Sequence, residues 1–289
     1  MQESPDLIRA LNLNGRKLSK SQKRIAQYIA EHYEKAAYMT ASHLAECVQV
    51  SESTVVRFAS ALGYEGYPHL QKALQELVSH HLTGYQRVVM ATEIREDNVL
   101  ETVLKSDIAN LRATLEKMDR SVYEDVVHRI LEAKAIYVMG LRSAAPLAQF
   151  MGFYLNYIFD NVHLVSSGST DVFEEIAKLK ADDVLIGISF PRYSNRTIDA
   201  MTFAKHCGAQ VIAITDGPLS PLSRVADATL MAQTDMASFV DSLAAPLSVI
   251  NALLVSLGLR RREALTDHFR QLESIWDAYQ VYLGDEQHD

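Results

Sequence analysis

From Ala135 onward the chain alternates short β-branched runs with segments of helical spacing, and few folds accommodate that alternation. Strand patterns fall at 136–140, 163–166, 184–190, 211–215 and 228–232, with helical patterns at 144–159, 171–180 and 197–207 and a turn through Pro218 and Pro221 before the last strand. Five strands separated by helices predict an α/β domain built on a parallel sheet with right-handed crossovers. The run Val184-Leu185-Ile186-Gly187-Ile188 is apolar without interruption, as expected of a central strand covered on both faces. The expected strand order is 2-1-3-4-5. That order sets the loops after strands one and three side by side at the switch point, where open α/β sheets bind ligands.

Those two loops carry a matching set of side chains. The first reads Gly140-Leu141-Arg142-Ser143-Ala144, and the second Ser189-Phe190-Pro191-Arg192-Tyr193-Ser194. Each brings an arginine and at least one hydroxyl toward the same crevice, and a helix begins after each. Hydroxyls, a guanidinium fork and a helix N-terminus together form an anion site, most simply for phosphate. A solvated surface would explain either loop alone; convergence of the two favours the anion site. Arg142, Ser143, Ser189, Arg192 and Ser194 are therefore the expected effector contacts.

The N-terminal residues read differently. Residues 3–82 carry helical spacing throughout. In 19–33, Ile25, Tyr28 and Ile29 share a face, while Lys17, Lys20, Lys23 and Arg24 crowd the start, where cations oppose the helix dipole. A nearby polyanion removes that objection, with Lys20 an expected contact to it; a solvated basic surface is the alternative. Residues 40–63 then read TASHLAECVQVSESTVVRFASALG. Thr40 is placed to cap a helix bearing Leu44, Ala45 and Val48; Gln49 and Val50 make a tight turn; Ser51 is placed to cap a second helix with Val55, Phe58, Ala59 and Leu62 inward. Gly63 suits its end. Two short helices joined so tightly, with small Ala45 at their crossing, make a helix-turn-helix, with a plain helical hairpin as the alternative on these residues alone. Ser53, Thr54, Arg57 and Ala61 are left outward, a short, hydrogen-bonding face suited to base edges and phosphates in a major groove.

Charge agrees with this division. Residues 1–80 hold nine Lys/Arg against eight Asp/Glu, leaving 19 against 28 for the rest of a chain whose net charge is -8. Only the N-terminal part is suited to meet nucleic acid. The expected plan is a helix-turn-helix domain over 1–82, a linker over 83–97 and a sheet domain over 98–289. Two amphipathic helices at 98–118 and 121–133 lead into the sheet. A helix over 241–258 is apolar almost all round and so buried in the domain or in a subunit interface. Arg260, Arg261 and Arg262 follow as an expected solvated cluster, and a final helix carries Leu265, Phe269, Leu272, Ile275, Trp276 and Tyr279. Cys47 and Cys207 have no metal-ligand or CxxC spacing around them, and no metal or cofactor is expected. Without a signal peptide or an apolar window of about twenty residues, the expectation is a cytoplasmic protein with no membrane partner.

The segment SESTVVRFASALGYEGY at 51–67, followed by ISFPRYS at 188–194 and ITD at 214–216, resembles the RpiR family of bacterial transcriptional regulators over nearly the whole chain. The resemblance implies a helix-turn-helix domain joined to a sugar isomerase (SIS) domain that senses a phosphorylated sugar and mediates dimerisation. It implies that Ser51, Ser53, Thr54 and Arg57 lie on the recognition helix, and that Ser143, Ser189 and Ser194 lie in or beside the phosphate loops. The usual SIS loops, GxGxS and SxSGxT, would place glycine at 142 and 192, where this chain has arginine. Arginine forks are then expected to take over the anion, with a sugar-acid phosphate as an alternative to an aldose phosphate. The expected function is a repressor of sugar-catabolism genes, a dimer or tetramer binding a palindromic operator in double-stranded DNA. The alternative is a sugar-phosphate isomerase, for which Glu174 and Asp241 are the nearest candidates for the base, neither in a recognisable catalytic setting.

Overall fold

The computed structural model describes residues 18–37, 39–79, 96–166, 168, 171–236 and 239–282. The chain divides into two compact units, Met1–Met90 and Ala91–Asp289. Of the expected linker, 83–95 lie outside the described residues, and Glu96–Asn98 form a 3-10 turn. Lys17 also lies outside them.

The helical unit is built from α1 (Lys20–Ala36), α2 (Ala41–Val48), α3 (Glu52–Ala61) and α4 (Tyr67–Ser79). Ser19 and Gln22 open α1 with a reciprocal pair: the Gln22 N–H donates to Ser19 Oγ at 3.3 Å and the Ser19 N–H to Gln22 Oε1 at 2.9 Å. Thr40 caps α2 by accepting from the His43 N–H. The turn to α3 is made by Gln49 in the left-handed region, φ 52. Ile25, Ile29, Leu44, Val48, Val55, Phe58, Ala59, Leu62, Leu70 and Leu74 form one core, with Ala45 buried among them. Tyr67 pins the α1–α2 connection by donating to the Met39 carbonyl at 2.7 Å, and burial pushes its phenol up to about 12.

The second unit begins with α5 (Val99–Lys117) and α6 (Arg120–Glu132) and continues as β1 (Ile136–Gly140), α7 (Ala145–Ile158), β2 (Val162–Val165), α8 (Val172–Glu175), β3 (Val184–Ile188), α9 (Asn195–His206), β4 (Gln210–Thr215), α10 (Pro221–Val225), β5 (Ala228–Met231), α11 (Ala244–Arg260) and α12 (Arg262–Tyr279). All four strand pairings are parallel, in the order β2-β1-β3-β4-β5. Alternate strand residues feed two cores. Ile136, Val138, Ile186, Ile212 and Leu230 pack under α6, α7 and α11, while Tyr137, Met139, Leu185, Val211 and Ala213 pack under α8, α9 and α10. Burying each large aliphatic side chain contributes about 1.5–3 kcal/mol, and this layer fixes the carboxyl edge on which the loops stand.

Two expectations are corrected. The helix expected at 171–180 stops after Glu175 because the next turns tighten: Ala177 N–H donates to Glu174 O and Leu179 N–H to Ile176 O, three residues back. Val172, Ile176 and Leu179 keep the apolar spacing that suggested a longer helix. The triplet Arg260–Arg262 is not a uniformly solvated cluster. Arg261 lies over the Phe159 ring, 4.8 Å from its centroid, and donates to the Ile158 carbonyl, while Arg260 pairs with Glu124.

Candidate functional site

β1 and β3 run in register with Gly140 opposite Ile188, so the segments 141–144 and 189–194 leave from adjacent points on the sheet edge. Gly140 is needed for the first departure. A Cβ there would stand 2.6 Å from the Ala144 carbonyl oxygen and 3.0 Å from Ala148 Cβ. The chain instead passes directly into the 3-10 turn Arg142–Ala144 and then α7.

Among the described residues, four non-glycines have positive φ: Gln49, Arg142, Arg192 and Gln280. Gln49 and Gln280 end helices, where the left-handed conformation frees a backbone N–H to satisfy terminal carbonyls. Arg142 (φ 56) and Arg192 (φ 70) end none. They are the two positions at which the resemblance to the usual SIS loops would put glycine, the residue that adopts this conformation freely. The conformation costs an L-residue about 1–2 kcal/mol. Both side chains are exposed, and neither guanidinium has an ion-pair or hydrogen-bond partner among the described residues. The neighbouring Arg196 differs: it pairs with Asp171 at 3.3 Å and lies over the Phe173 ring.

The second loop is braced from within. Ser189 is buried, and its Oγ accepts from the Ser194 N–H at 3.2 Å. Ser194 in turn caps α9 by accepting from the Thr197 N–H at 3.3 Å. Ser189 thus shapes the loop, while Ser194 retains a hydroxyl proton at a helix N-terminus. Ser143 is exposed on the first loop. Tyr193 donates to Asp216 Oδ1 at 2.8 Å, and burial, reinforced by the Asp216 charge, raises its phenol far above the usual value.

A hydrogen-bonded path continues from that loop. Asp216 O accepts from Gln233 Nε2 at 3.1 Å, the Gln233 N–H donates to Thr114 Oγ1 at 2.9 Å, and Lys117 Nζ donates to Gln233 Oε1 at 3.1 Å. Asn110 exchanges two hydrogen bonds with the Asp235 backbone. Asn110 and Thr114 are buried polar residues at i, i+4 on α5, and that pairing on an otherwise amphipathic helix was the signal available in the sequence. Of the carboxylates considered for a base, Glu174 is exposed on α8 and Asp241 is half-buried ahead of α11.

In the helical unit, Lys20 is exposed at the start of α1, and Ser51, Ser53 and Arg57 are exposed with Thr54 half-buried beside them. Ser51 occupies the N-cap position of α3 but makes no side-chain cap bond, which corrects the expectation. Its Oγ instead meets Ser53 Oγ at 3.0 Å and Thr54 Oγ1 at 2.8 Å, because the three hydroxyls face one another across the first turn. Arg57 folds back along α3, its Nε–H donating to the Ser53 carbonyl at 3.1 Å.

A helix-turn-helix unit followed by this doubly wound sheet defines a transcriptional regulator with a SIS domain. Residues 6–81 match the helix-turn-helix domain of the rpiR family, and residues 129–256 match the SIS domain. The chain is 30% identical over 208 residues to the uncharacterized HTH-type transcriptional regulator YfhH of Escherichia coli K12, covering 68% of this chain and 71% of that one. It superposes with TM-score 0.59 and 29% identity on the sugar isomerase domain of an RpiR transcription factor from Sphaerobacter thermophilus, over 61% of this chain and 99% of that one. It also shares the fold of the Vibrio vulnificus NanR protein complexed with ManNAc-6P, at TM-score 0.57 and 21% identity over 94% of this chain and 98% of NanR. The chain belongs to the RpiR family of helix-turn-helix transcriptional regulators. No helix among the described residues is long and apolar enough to cross a membrane.

Proposed function

We propose that this regulator represses sugar-catabolism genes from the cytoplasm, binding a palindromic operator as a homo-oligomer until a phosphorylated sugar or sugar acid occupies the loops 141–144 and 189–194. The observation that carries the reading is the pair of left-handed arginines, without guanidinium partners among the described residues, on adjacent loops at the sheet's switch point. The solved NanR complex with ManNAc-6P supports a phosphosugar as the class of ligand. Effector contacts are assigned to Arg142, Arg192, Ser143 and Ser194, with Ser189 holding the loop.

Operator contacts are assigned to Lys20, Ser51, Ser53, Thr54 and Arg57. The uncapped start of α3 leaves N–H groups and a hydroxyl cluster for phosphate, and Arg57 would exchange its two acceptors on Ser53, the carbonyl and the hydroxyl, for a base edge. The domains are placed at 1–82 and 98–289, joined by the segment between them. A second copy is supported by α12, which buries none of its residues although Ile275 and Tyr279 are 48% and 80% exposed on its apolar stripe, and by Val255 on α11, 60% exposed. A dimer would set half-sites about one duplex turn apart.

The test is fluorescence anisotropy of the full chain on DNA upstream of its own gene, with and without a panel of sugar phosphates and phosphorylated sugar acids. Effector-dependent loss of specific binding is expected, and Arg57→Ala should abolish specific binding while leaving effector-induced thermal stabilisation intact. Catalytic turnover of a panel member would support the isomerase alternative instead.

A further inference from the structure

Resting on that reading of the loops, we propose that the ligand is doubly anionic: a sugar derivative with a phosphate at one end and a carboxylate or second phosphate at the other, one guanidinium serving each end. Arg142 and Arg192 are its specificity-determining residues.

The inference starts from the amount of positive charge. One phosphate at a switch point is ordinarily satisfied by backbone N–H groups in glycine turns, hydroxyls and a helix N-terminus. This chain has left-handed turns at both loops, at φ 56 and φ 70, and has Ser194 at the start of α9. It then adds a full positive charge to each turn, at the backbone positions where an L side chain is least favoured. Side chains carried against a conformational preference at two adjacent points, and without an ion-pair or hydrogen-bond partner among the described residues, are there for what they bind. Arg196 shows the alternative fate of a loop arginine, neutralised by Asp171 and packed on Phe173. Two unneutralised guanidinium groups on separate loops suit two separated anionic groups better than one, since each fork matches a planar carboxylate or a phosphate edge in bidentate fashion.

Matched pairs test this on the full chain by titration calorimetry: glucose 6-phosphate against 6-phosphogluconate, ribose 5-phosphate against 5-phosphoribonate, and fructose 6-phosphate against fructose 1,6-bisphosphate, with inorganic phosphate alone as reference. Within at least one pair the doubly anionic member should bind at least tenfold tighter. Arg142→Gly and Arg192→Gly, which suit the local φ and so leave folding intact, should remove that preference, one of them without weakening the singly phosphorylated partner. Arg142→Lys and Arg192→Lys should restore part of it through charge alone. The first two pairs against the third separate a carboxylate from a second phosphate. Equal affinity within every pair, or a preference that survives both glycine variants, overturns the proposal while leaving a phosphosugar effector in place. Failure of every phosphorylated compound to bind overturns both.

Discussion

Replacing Arg142 or Arg192 by glycine and by alanine separates backbone strain from charge. Alanine removes the guanidinium but keeps a Cβ at φ 56 or φ 70; glycine removes both. The left-handed conformation costs an L-residue about 1–2 kcal/mol. Glycine returns about 0.4–1 kcal/mol of that through the greater entropy of its unfolded chain. The glycine variant should therefore be more stable than the alanine variant by about 0.5–1 kcal/mol at each site. For a unit of this size that is roughly 1–4 °C in melting temperature. Differential scanning calorimetry on single and double variants without ligand is the assay, and the two sites should add, because each strain is local to its own turn. Glycine variants melting below their alanine counterparts at both sites would refute the account of these turns, and with it the inference that the arginines are carried at a cost.

Other expectations are independent of strain. Gly140→Ala should destabilise the sheet unit by about 1–3 kcal/mol, since the new Cβ would lie 2.6 Å from a backbone oxygen that cannot move without shifting the 3-10 turn; denaturant melts monitored on that unit check it. Gln233→Ala removes the side-chain bonds to the Asp216 carbonyl and to Lys117, while the backbone bond to Thr114 stays, and should leave effector affinity within about threefold while reducing the effector's influence on DNA affinity, read from reciprocal titrations. Ser51→Ala should cost less than the roughly 1 kcal/mol of a lost N-cap, because the hydroxyl makes no cap bond, yet it should weaken DNA binding; thermal melts and anisotropy report the two effects separately.

The sheet was legible because each strand is a short, largely apolar run and the central one, Val184–Ile188, is apolar throughout, and five such runs alternating with helices leave little topological choice. The helix-turn-helix was legible for the corresponding reason: the apolar positions from Val55 to Leu62 repeat at helical spacing after a serine at the N-cap position, and Gln49, though not glycine, takes the left-handed turn. Side-chain type does not report φ for arginine, so the persistence of glycine-like turns at Arg142 and Arg192 could be seen only in the backbone. The over-extended helix at 171–180 has a related origin. Val172, Ile176 and Leu179 fit α spacing and tightened turns alike, and the Asp183 carboxylate accepting from the Lys180 N–H at 2.7 Å closes the segment early. Ser51 was misread because a serine ahead of an apolar run predicts a cap, whereas Ser53 and Thr54 compete for the same hydroxyl. The Tyr193–Asp216–Gln233–Thr114 path joins residues from 114 to 233, a separation over which no local pattern operates.

The most direct measurement of the central claim is the equilibrium affinity of the full chain for its upstream DNA at fixed salt, titrated with a phosphorylated sugar acid. The account predicts specific binding that shifts by at least tenfold with ligand, and a shift that disappears when Arg142 and Arg192 are both glycine. Specific binding unmoved by every phosphorylated ligand, or moved equally in wild type and double variant, would contradict it.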